Sequence, residues 1–238
     1  QYASRSGDIN GNISHHLSFI QQAGRHDIDL LLFPELSLTG YELEAGPQLA
    51  LSLDDARLDR IAEAALQQQM SIIVGMPLRV DHRYHIAAVT FLPDGTRFAY
   101  AKRRLHGSEN QFFQPGHGGP LFGTSTRNVA IAVCADIVME QFAREAAESG
   151  ADLYAASVLL SDQGYDKDCQ YLARWAGDYR MAVLMANHAQ PTGGYLSSGG
   201  SALWDAKGNN VIRSGSGELL MVARRTDQGW QGEIHPLG

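Results

Sequence analysis

The sequence has 238 residues, 44% hydrophobic and 19% charged, which is typical of one soluble globular domain with a sizeable core. The 19 Lys and Arg residues are outnumbered by 26 Asp and Glu residues, the formal net charge is -7, and no basic run alternates with aromatics, so nucleic acid is not expected as a partner. Apolar runs fall well short of the roughly 20 residues that a membrane-spanning helix needs, so no membrane partner is expected either. The two cysteines do not form a disulfide framework. The sequence also does not start with the basic and then apolar segment of a secretory signal, so a cytoplasmic protein is predicted.

Helices and strands are predicted to alternate in the first part of the chain. Apolar residues recur at helical spacing over residues 13–23, and a short buried strand follows at 29–33. The same unit is repeated by an amphipathic helix at 58–66 and a strand at 72–75. This alternation favours an α/β fold.

The pattern then changes to two strands, at 86–92 and 97–101, joined by a Pro-Asp-Gly turn. Cys169 shares one helical face with apolar residues, so we interpret it as a core residue. The other predicted elements are strands at 129–133, 152–155, 182–186, 201–204, 210–212 and 218–222, and a helix at 142–147 that stops at Gly150.

Three chemically distinct residues follow the ends of predicted strands: Glu35, Lys102 and Cys134. In open α/β sheets ligands bind beyond the carboxyl ends of strands, and charges at such an edge tend to be paired at functional sites. The alternatives are solvated loop charges for Glu35 and Lys102 and a buried, inert cysteine for Cys134. Their meeting in space is a hypothesis at this point.

Three sequence blocks carry a family resemblance. Residues 33–41 read Phe-Pro-Glu-Leu-Ser-Leu-Thr-Gly-Tyr, residues 102–116 include Lys102, Glu109 and a Pro-Gly pair, and residues 129–136 end in Cys-Ala-Asp. In order and spacing these blocks resemble the signatures of the nitrilase superfamily, the carbon-nitrogen hydrolases. Further similarity lies at residues 7–9, 186–187, 199–201 and 205–208, so the resemblance extends over nearly the whole chain.

The resemblance implies an α/β fold with a four-layer α-β-β-α sandwich, formed by a single domain over residues 1–238. Family members begin with a strand that ends near Gln1, so most of the first strand is expected to be missing from this sequence. Similar proteins associate through the helices beside the nucleophile, which predicts a homodimer or higher homo-oligomer.

By the same resemblance Glu35, Lys102 and Cys134 correspond to the catalytic triad and Glu109 to an auxiliary carboxylate. A cysteine thiol is mostly protonated at neutral pH, so a carboxylate that takes its proton and a cation that favours the thiolate both have a chemical reason to be there. The backbone N–H of Ala135, with Lys102, is predicted to stabilise the oxyanion, although the family commonly has an aromatic residue at that position. An exposed loop acid is the alternative for Glu109.

Tyr41, Phe113, Val158 and Leu159 lie just after motif positions and are predicted to contact substrate, with ordinary core packing as the alternative. No HExxH or CxxC spacing is present, so no metal is predicted, no cofactor is expected, and the histidines are predicted to lie at the surface or in loops.

The leading hypothesis is a cofactor-independent thiol amidase that cleaves small linear amides. Hydrolysis of nitriles or of N-carbamoyl amines by the same triad is the alternative within the family. A catalytically silent protein that uses the fold only for binding is the alternative from another class, and the presence of all three triad residues argues against it.

Overall fold

The computed structural model describes residues 1–197 and 199–237, and within them the chain forms five α-helices and twelve β-strands. The helices are α1 (Ile9–Ala23), α2 (Gly46–Leu49), α3 (Asp59–Gln68), α4 (Glu140–Glu148) and α5 (Tyr165–Tyr179). The strands are β1 (Leu30–Leu32), β2 (Ser71–Val80), β3 (Arg83–Phe91), β4 (Arg97–Ala101), β5 (Phe122–Gly123), β6 (Asn128–Val133), β7 (Leu153–Ser157), β8 (Ala182–Ala186), β9 (Ala202–Trp204), β10 (Asn210–Arg213), β11 (Leu219–Thr226) and β12 (Gly229–Pro236).

The first sheet contains β1 to β4 in that spatial order. Strand β1 pairs parallel with β2, and β2, β3 and β4 form an antiparallel meander. Two reversals therefore separate β2 from β4, so β1 and β4 run in the same direction. Residues that directly follow β1 and β4 therefore lie at the same end of the sheet, beyond the carboxyl ends of both strands.

The second sheet has the order β10-β9-β8-β7-β6-β5. Strands β6, β7 and β8 are parallel, and their last residues, Val133, Ser157 and Ala186, are neighbours in the register. Strands β11 and β12 form a separate antiparallel hairpin. The backbone of Gln1 pairs with that of Leu219, which fixes Gln1 against β11.

Three groups of buried apolar side chains separate four layers. The first group lies between helices α1 and α3 and the first sheet, and the second, the inter-sheet core, lies between the two sheets. The third lies between the second sheet and helices α4 and α5. The expected four-layer α-β-β-α sandwich is therefore confirmed. Representative members are Ile13, Ile61 and Val74 in the first group, Leu36, Ile86 and Val133 in the inter-sheet core, and Ala143, Leu172 and Tyr154 in the third.

The strands that the sequence predicts from apolar runs are present, and the structure differs from the prediction at β2, β5 and β12. Strand β2 continues past Gly75 and Pro77 to Val80, because its backbone stays paired with β3 along its length. Strand β12 was not predicted, because most of its residues are exposed and it lacks an apolar run.

Burial corrects one expectation about the histidines and confirms another about a cysteine. His16 is 0% exposed and lies in helix α1, so the expected surface or loop position is wrong for it, whereas His188, also 0% exposed, lies in the segment between β8 and β9. The Nδ1 atom of His16 lies 2.7 Å from the Asn12 carbonyl oxygen, and burial lowers the pKa of His16 to about 3, which keeps the ring neutral. Cys169 on α5 is buried in the core, as predicted.

Candidate active site

The side chains of the predicted triad come from both sheets and meet between them. Glu35 follows β1 and Lys102 follows β4, so both lie at the carboxyl end of these two strands of the first sheet. The Lys102 Nζ atom lies 2.6 Å from Glu35 Oε1. Cys134 follows β6 of the second sheet directly, and its thiol interacts electrostatically with both Glu35 and Lys102. The fold thus brings together three residues that are far apart in sequence.

Cys134 lies in a sharp turn. Its φ is +45°, in the left-handed region that residues with a side chain rarely adopt, and it begins a short 3-10 helix, Cys134–Val138. The residue is half-buried, and its Sγ atom lies 3.5 Å from the carbonyl oxygen of Leu159. The strained turn presents the thiol at the end of β6 instead of continuing the strand.

Glu35 is fully buried, and its two carboxylate oxygens have different surroundings. Oε1 accepts the hydrogen bond from Lys102, whereas Oε2 has no hydrogen-bond partner among the residues described. Burial raises the pKa of Glu35 to about 7, although the positive charge of Lys102 opposes the shift. Glu35 therefore has a free oxygen and a pKa suited to exchanging a proton at neutral pH.

Lys102 is also fully buried, and it lies between two carboxylates. Its Nζ atom is 2.6 Å from Glu35 Oε1 and 2.8 Å from Glu109 Oε1. Burial lowers the pKa of Lys102, but the negative charges of Glu35, Cys134 and Glu109 outweigh burial and hold it above its ordinary value. Lys102 is therefore a permanent cation in the site.

Glu109 is 0% exposed, which excludes the exposed loop acid considered above. It lies in a 3-10 helix, Gly107–Gln111, and three donors hold its carboxylate. Oε1 accepts hydrogen bonds from Lys102 Nζ at 2.8 Å and from the Tyr41 hydroxyl at 2.5 Å, and Oε2 accepts one from the His106 backbone N–H at 2.7 Å.

The thiol of Cys134 is protonated at rest. Burial and the negative charge of Glu35 raise its pKa well above the ordinary value, and the positive charge of Lys102 only partly opposes them. A base is therefore required before the sulfur can attack a substrate, and Glu35 is the carboxylate beside it.

Comparison with known proteins identifies the family, because the sequence pattern of the carbon-nitrogen hydrolases matches residues 1–231. The chain belongs to the carbon-nitrogen hydrolase family. It is 27% identical over 224 residues to an (R)-stereoselective amidase of a Pseudomonas species, a match that covers 93% of this chain and 81% of that one. It is 25% identical to a chloroplastic omega-amidase of Arabidopsis thaliana, over 92% of this chain and 64% of that one.

Solved structures show the same fold. The crystal structure of an amidase from a Nesterenkonia species superposes with a TM-score of 0.82 at 24% identity, over 91% of this chain and 84% of that one. At this identity the likeness concerns the fold. The family match makes the chain a carbon-nitrogen hydrolase, and the structural likeness shows that its fold is shared.

The four pocket residues predicted for this hydrolase do not all face the same space. Tyr41, Phe113 and Leu159 are buried members of the inter-sheet core, which Cys134 also contacts. Val158 instead belongs to the group that packs against α4 and α5, and its side chain is 0% exposed. Cys134 packs against this group as well, so it contacts the core groups of all four residues.

The turn that carries Cys134 depends on a residue to which no role was assigned from the sequence. Asp136 is fully buried, and its carboxylate accepts hydrogen bonds from the Val133 N–H, the Arg104 N–H and the Tyr100 hydroxyl. It thereby holds the 3-10 helix in which Ala135, the predicted oxyanion donor, directly follows Cys134. The one available signal was its place in the Cys-Ala-Asp block.

Two further residues support the segment that bears Glu35. The His188 Nε2 atom lies 2.7 Å from the carbonyl oxygen of Glu35, and burial lowers the pKa of His188 to about 4, so the neutral ring donates this hydrogen bond. The Ser157 hydroxyl at the end of β7 donates to the Phe33 carbonyl oxygen at 2.8 Å and links the two sheets. No local pattern identifies either contact, because each partner is more than 100 positions away.

A cavity of about 440 Å³ lies away from Cys134, with walls that include β1 and residues 220–225 of β11. Among the described residues, no group of three or more His, Cys, Asp and Glu side chains is arranged to hold a metal ion. No helix within residues 1–197 and 199–237 has the length and apolar character needed to span a membrane.

Proposed function

We propose that this hydrolase cleaves the carbon-nitrogen bond of small linear amides through a thioester on Cys134, giving a carboxylic acid and ammonia or an amine. The observation that carries the proposal is the state of Glu35: one oxygen is held by Lys102, the other is free, and the pKa is about 7 beside a protonated thiol. The similarity to an (R)-stereoselective amidase and an omega-amidase supports an amide as the substrate class.

In the first half of the reaction Glu35 takes the thiol proton as the Cys134 sulfur bonds to the amide carbon. The carbonyl electron pair moves onto oxygen, which becomes an oxyanion. When this oxyanion collapses, the carbon-nitrogen bond breaks and Glu35 returns its proton to the leaving nitrogen. Ammonia or an amine departs and the acyl group stays on sulfur as a thioester.

In the second half Glu35 removes a proton from a water molecule as the water oxygen attacks the thioester carbon. The new oxyanion collapses, the carbon-sulfur bond breaks, and the proton returns from Glu35 to the Cys134 sulfur. The sum of the two halves is amide plus water giving acid plus ammonia or amine. No other reactant is consumed.

Charge that develops on the substrate oxygen needs donors that are already in place. Lys102 supplies a fixed positive charge, held by Glu35 and Glu109. The backbone N–H of Ala135 is the second proposed donor, because it lies next to the nucleophile at the start of a helical turn, where N–H groups lack partners within the turn.

The predicted contact residues suit an uncharged substrate. The candidates for contact with the acyl group are Phe113 and Leu159 in the inter-sheet core and the ring of Tyr41. These are apolar surfaces, and a charged acyl group would lose its hydration there without a partner of opposite charge. Val158 belongs to the group between the second sheet and helices α4 and α5, which Cys134 also contacts, and it stays a predicted contact residue.

The test combines ammonia release with mass spectrometry of the intact protein. Matched short linear amides and nitriles are offered, and samples are quenched in acid during turnover. We expect ammonia from the amides and an acyl adduct that peptide mapping assigns to Cys134. Turnover of nitriles or N-carbamoyl amines alone would reassign the substrate class, and absence of both turnover and adduct would favour the silent binding protein.

Two cysteine variants provide a matched comparison. Cys134→Ala should lower turnover by roughly three orders of magnitude or more, because the covalent route is lost. Cys169→Ala removes the other, core-buried thiol and should retain turnover. An active Cys134→Ala protein, or an adduct on Cys169, contradicts the assignment of the nucleophile.

Three expectations about the whole protein stay predictions. They are the cytoplasmic location, the organisation of residues 1–238 as a single domain, and association into a homodimer or higher homo-oligomer. Light scattering on the purified protein measures the last of these directly.

A further inference from the structure

Tyr41 contacts the catalytic machinery through its hydroxyl. It lies six positions after Glu35 in the same segment, is 4% exposed, and donates a hydrogen bond to Glu109 Oε1 at 2.5 Å. The same oxygen accepts the hydrogen bond from Lys102 at 2.8 Å. A carboxylate oxygen has two lone pairs, so Tyr41 and Lys102 together fill Oε1.

Glu109 needs such an anchor because of where its backbone lies. The residues that flank it in the 3-10 helix, at 107–108 and 110–111, are all exposed, and only Glu109 turns inward. Tyr41 is held more firmly: its backbone N–H donates to the Thr192 hydroxyl at 2.9 Å, and its ring packs edge-on against Tyr195. The Tyr41 hydroxyl therefore ties an exposed turn to a buried segment.

We propose that Tyr41 is a positioning residue: its hydroxyl fixes the Glu109 carboxylate, and Glu109 in turn holds the Lys102 ammonium beside Glu35 and Cys134. This proposal rests on the proposed function in one respect, because it assumes that the positive charge of Lys102 stabilises the Cys134 thiolate. It gives the Tyr41 hydroxyl a different role from the substrate contact predicted from the sequence, and leaves that contact to the ring.

The chemistry of the pair fits this role. Burial and the negative charge of Glu35 raise the pKa of Tyr41, so its hydroxyl keeps its proton and acts as a donor. The Tyr41 hydroxyl and the Lys102 ammonium both bond to Glu109 Oε1, so fixing this oxygen also fixes where the ammonium lies. Lysine has a long, flexible stem, and two fixed carboxylates restrict it to one position.

The test uses iodoacetamide alkylation of Cys134, followed by mass spectrometry across pH, because this reaction needs no amide turnover. In Tyr41→Phe the Lys102 cation is less well placed to stabilise the thiolate. We expect the rate of alkylation at pH 7 to fall by about tenfold. The pH at which the rate reaches half of its maximum should move to a higher value. Tyr195→Phe, which removes a hydroxyl from the adjacent ring, is the matched control and should behave like the unsubstituted protein.

A double-mutant cycle separates positioning from simple packing. If Tyr41 acts through Glu109, then Tyr41→Phe should add little to the loss already caused by Glu109→Gln. Additive losses, or unchanged alkylation in Tyr41→Phe, overturn the proposal. Circular dichroism shows whether each variant is folded, and Glu109→Gln tests the same link if Tyr41→Phe does not fold.

Amide kinetics make the outcomes distinguishable from those of the proposed function. Where amides are hydrolysed, Tyr41→Phe should lower kcat with little change in KM, because the lost contact holds the catalytic groups rather than the substrate. A raised KM at unchanged kcat supports the substrate-contact role and overturns this one. Slow alkylation in Tyr41→Phe without amide turnover in the unsubstituted protein supports the positioning role while refuting the amidase.

Discussion

Glu35 destabilises the folded protein when it is ionised. Its pKa is about 7 in the folded protein against 4.5 for an ordinary glutamate, because burial penalises the charge. The folded state therefore holds a proton that the unfolded state releases between these two values. This contribution to stability is full below about pH 4.5 and is lost as the pH rises through 7.

Glu35→Gln should therefore abolish turnover and make the protein more stable at pH 8, on the order of 2 kcal/mol. Glutamine keeps the shape without a charge, and Lys102 keeps Glu109 as its partner. The difference should shrink towards pH 4.5, where Glu35 is also neutral. Urea unfolding at several pH values measures it, and a less stable variant at pH 8 contradicts this account.

Some residues of the site could be assigned a role from the sequence, and others could not. Glu35, Lys102 and Cys134 could be proposed because each follows an apolar strand and lies in a longer recognisable block. Asp136 and His188 could not be given roles, since the hydrogen bonds that define them depend on the folded backbone. A sequence pattern identifies reacting groups more readily than the residues that hold them.

Strand β2 passes close to the segment that bears Glu35, and one glycine allows it. A Cβ atom on Gly75 would lie 2.3 Å from the Pro34 carbonyl oxygen and 2.4 Å from the Leu36 backbone nitrogen. The same backbone is bonded to this segment, since the Leu38 N–H donates to the Gly75 carbonyl oxygen at 2.9 Å. The position of Glu35 therefore depends on a residue that carries no chemistry.

Gly75→Ala should displace the Glu35 segment, lower kcat/KM by at least tenfold and destabilise the protein by about 1–3 kcal/mol. Steady-state kinetics and thermal unfolding measure both effects. Gly215→Ala is the control. Among the residues that the structure describes, no atom lies within 4 Å of a Cβ built on Gly215, and the φ of Gly215 is not in the left-handed region. Equal kinetics for the two variants would show that the close approach has no functional role.

Helices and strands could be predicted where their buried faces produce a regular pattern of apolar residues in the sequence. The helices α1 and α3 and the strands β1, β6 and β8 have apolar runs or helical periodicity and were predicted near their observed positions. The end of β2 contains Pro77, which is untypical of a strand interior, and β12 is mostly exposed, so pairing with a neighbouring strand is what defines both as strands. Pairing partners are tertiary information that a local window does not contain.

At the scale of the whole molecule, the order of the four layers followed from the family resemblance, whereas alternation of helices and strands indicated only an α/β class. The reason is physical: both sheets bury apolar side chains on both faces, so their sequences do not distinguish the face toward helices from the face toward the other sheet. Ala155 and Ala156 of β7 illustrate this, since these identical neighbours belong to different groups.

Glu35 and Lys102 follow strands of one sheet and Cys134 follows a strand of the other, so the proposed reaction depends on the spacing of the two sheets. Side-chain contacts such as that between Ser157 and Phe33 cross this gap, and a displacement of about 1 Å can cost a hundredfold in rate. On gradual heating, amide turnover should therefore disappear several degrees below the midpoint of far-ultraviolet circular dichroism and recover on immediate cooling. Coincident midpoints would mean that the sheets separate only when the whole chain unfolds.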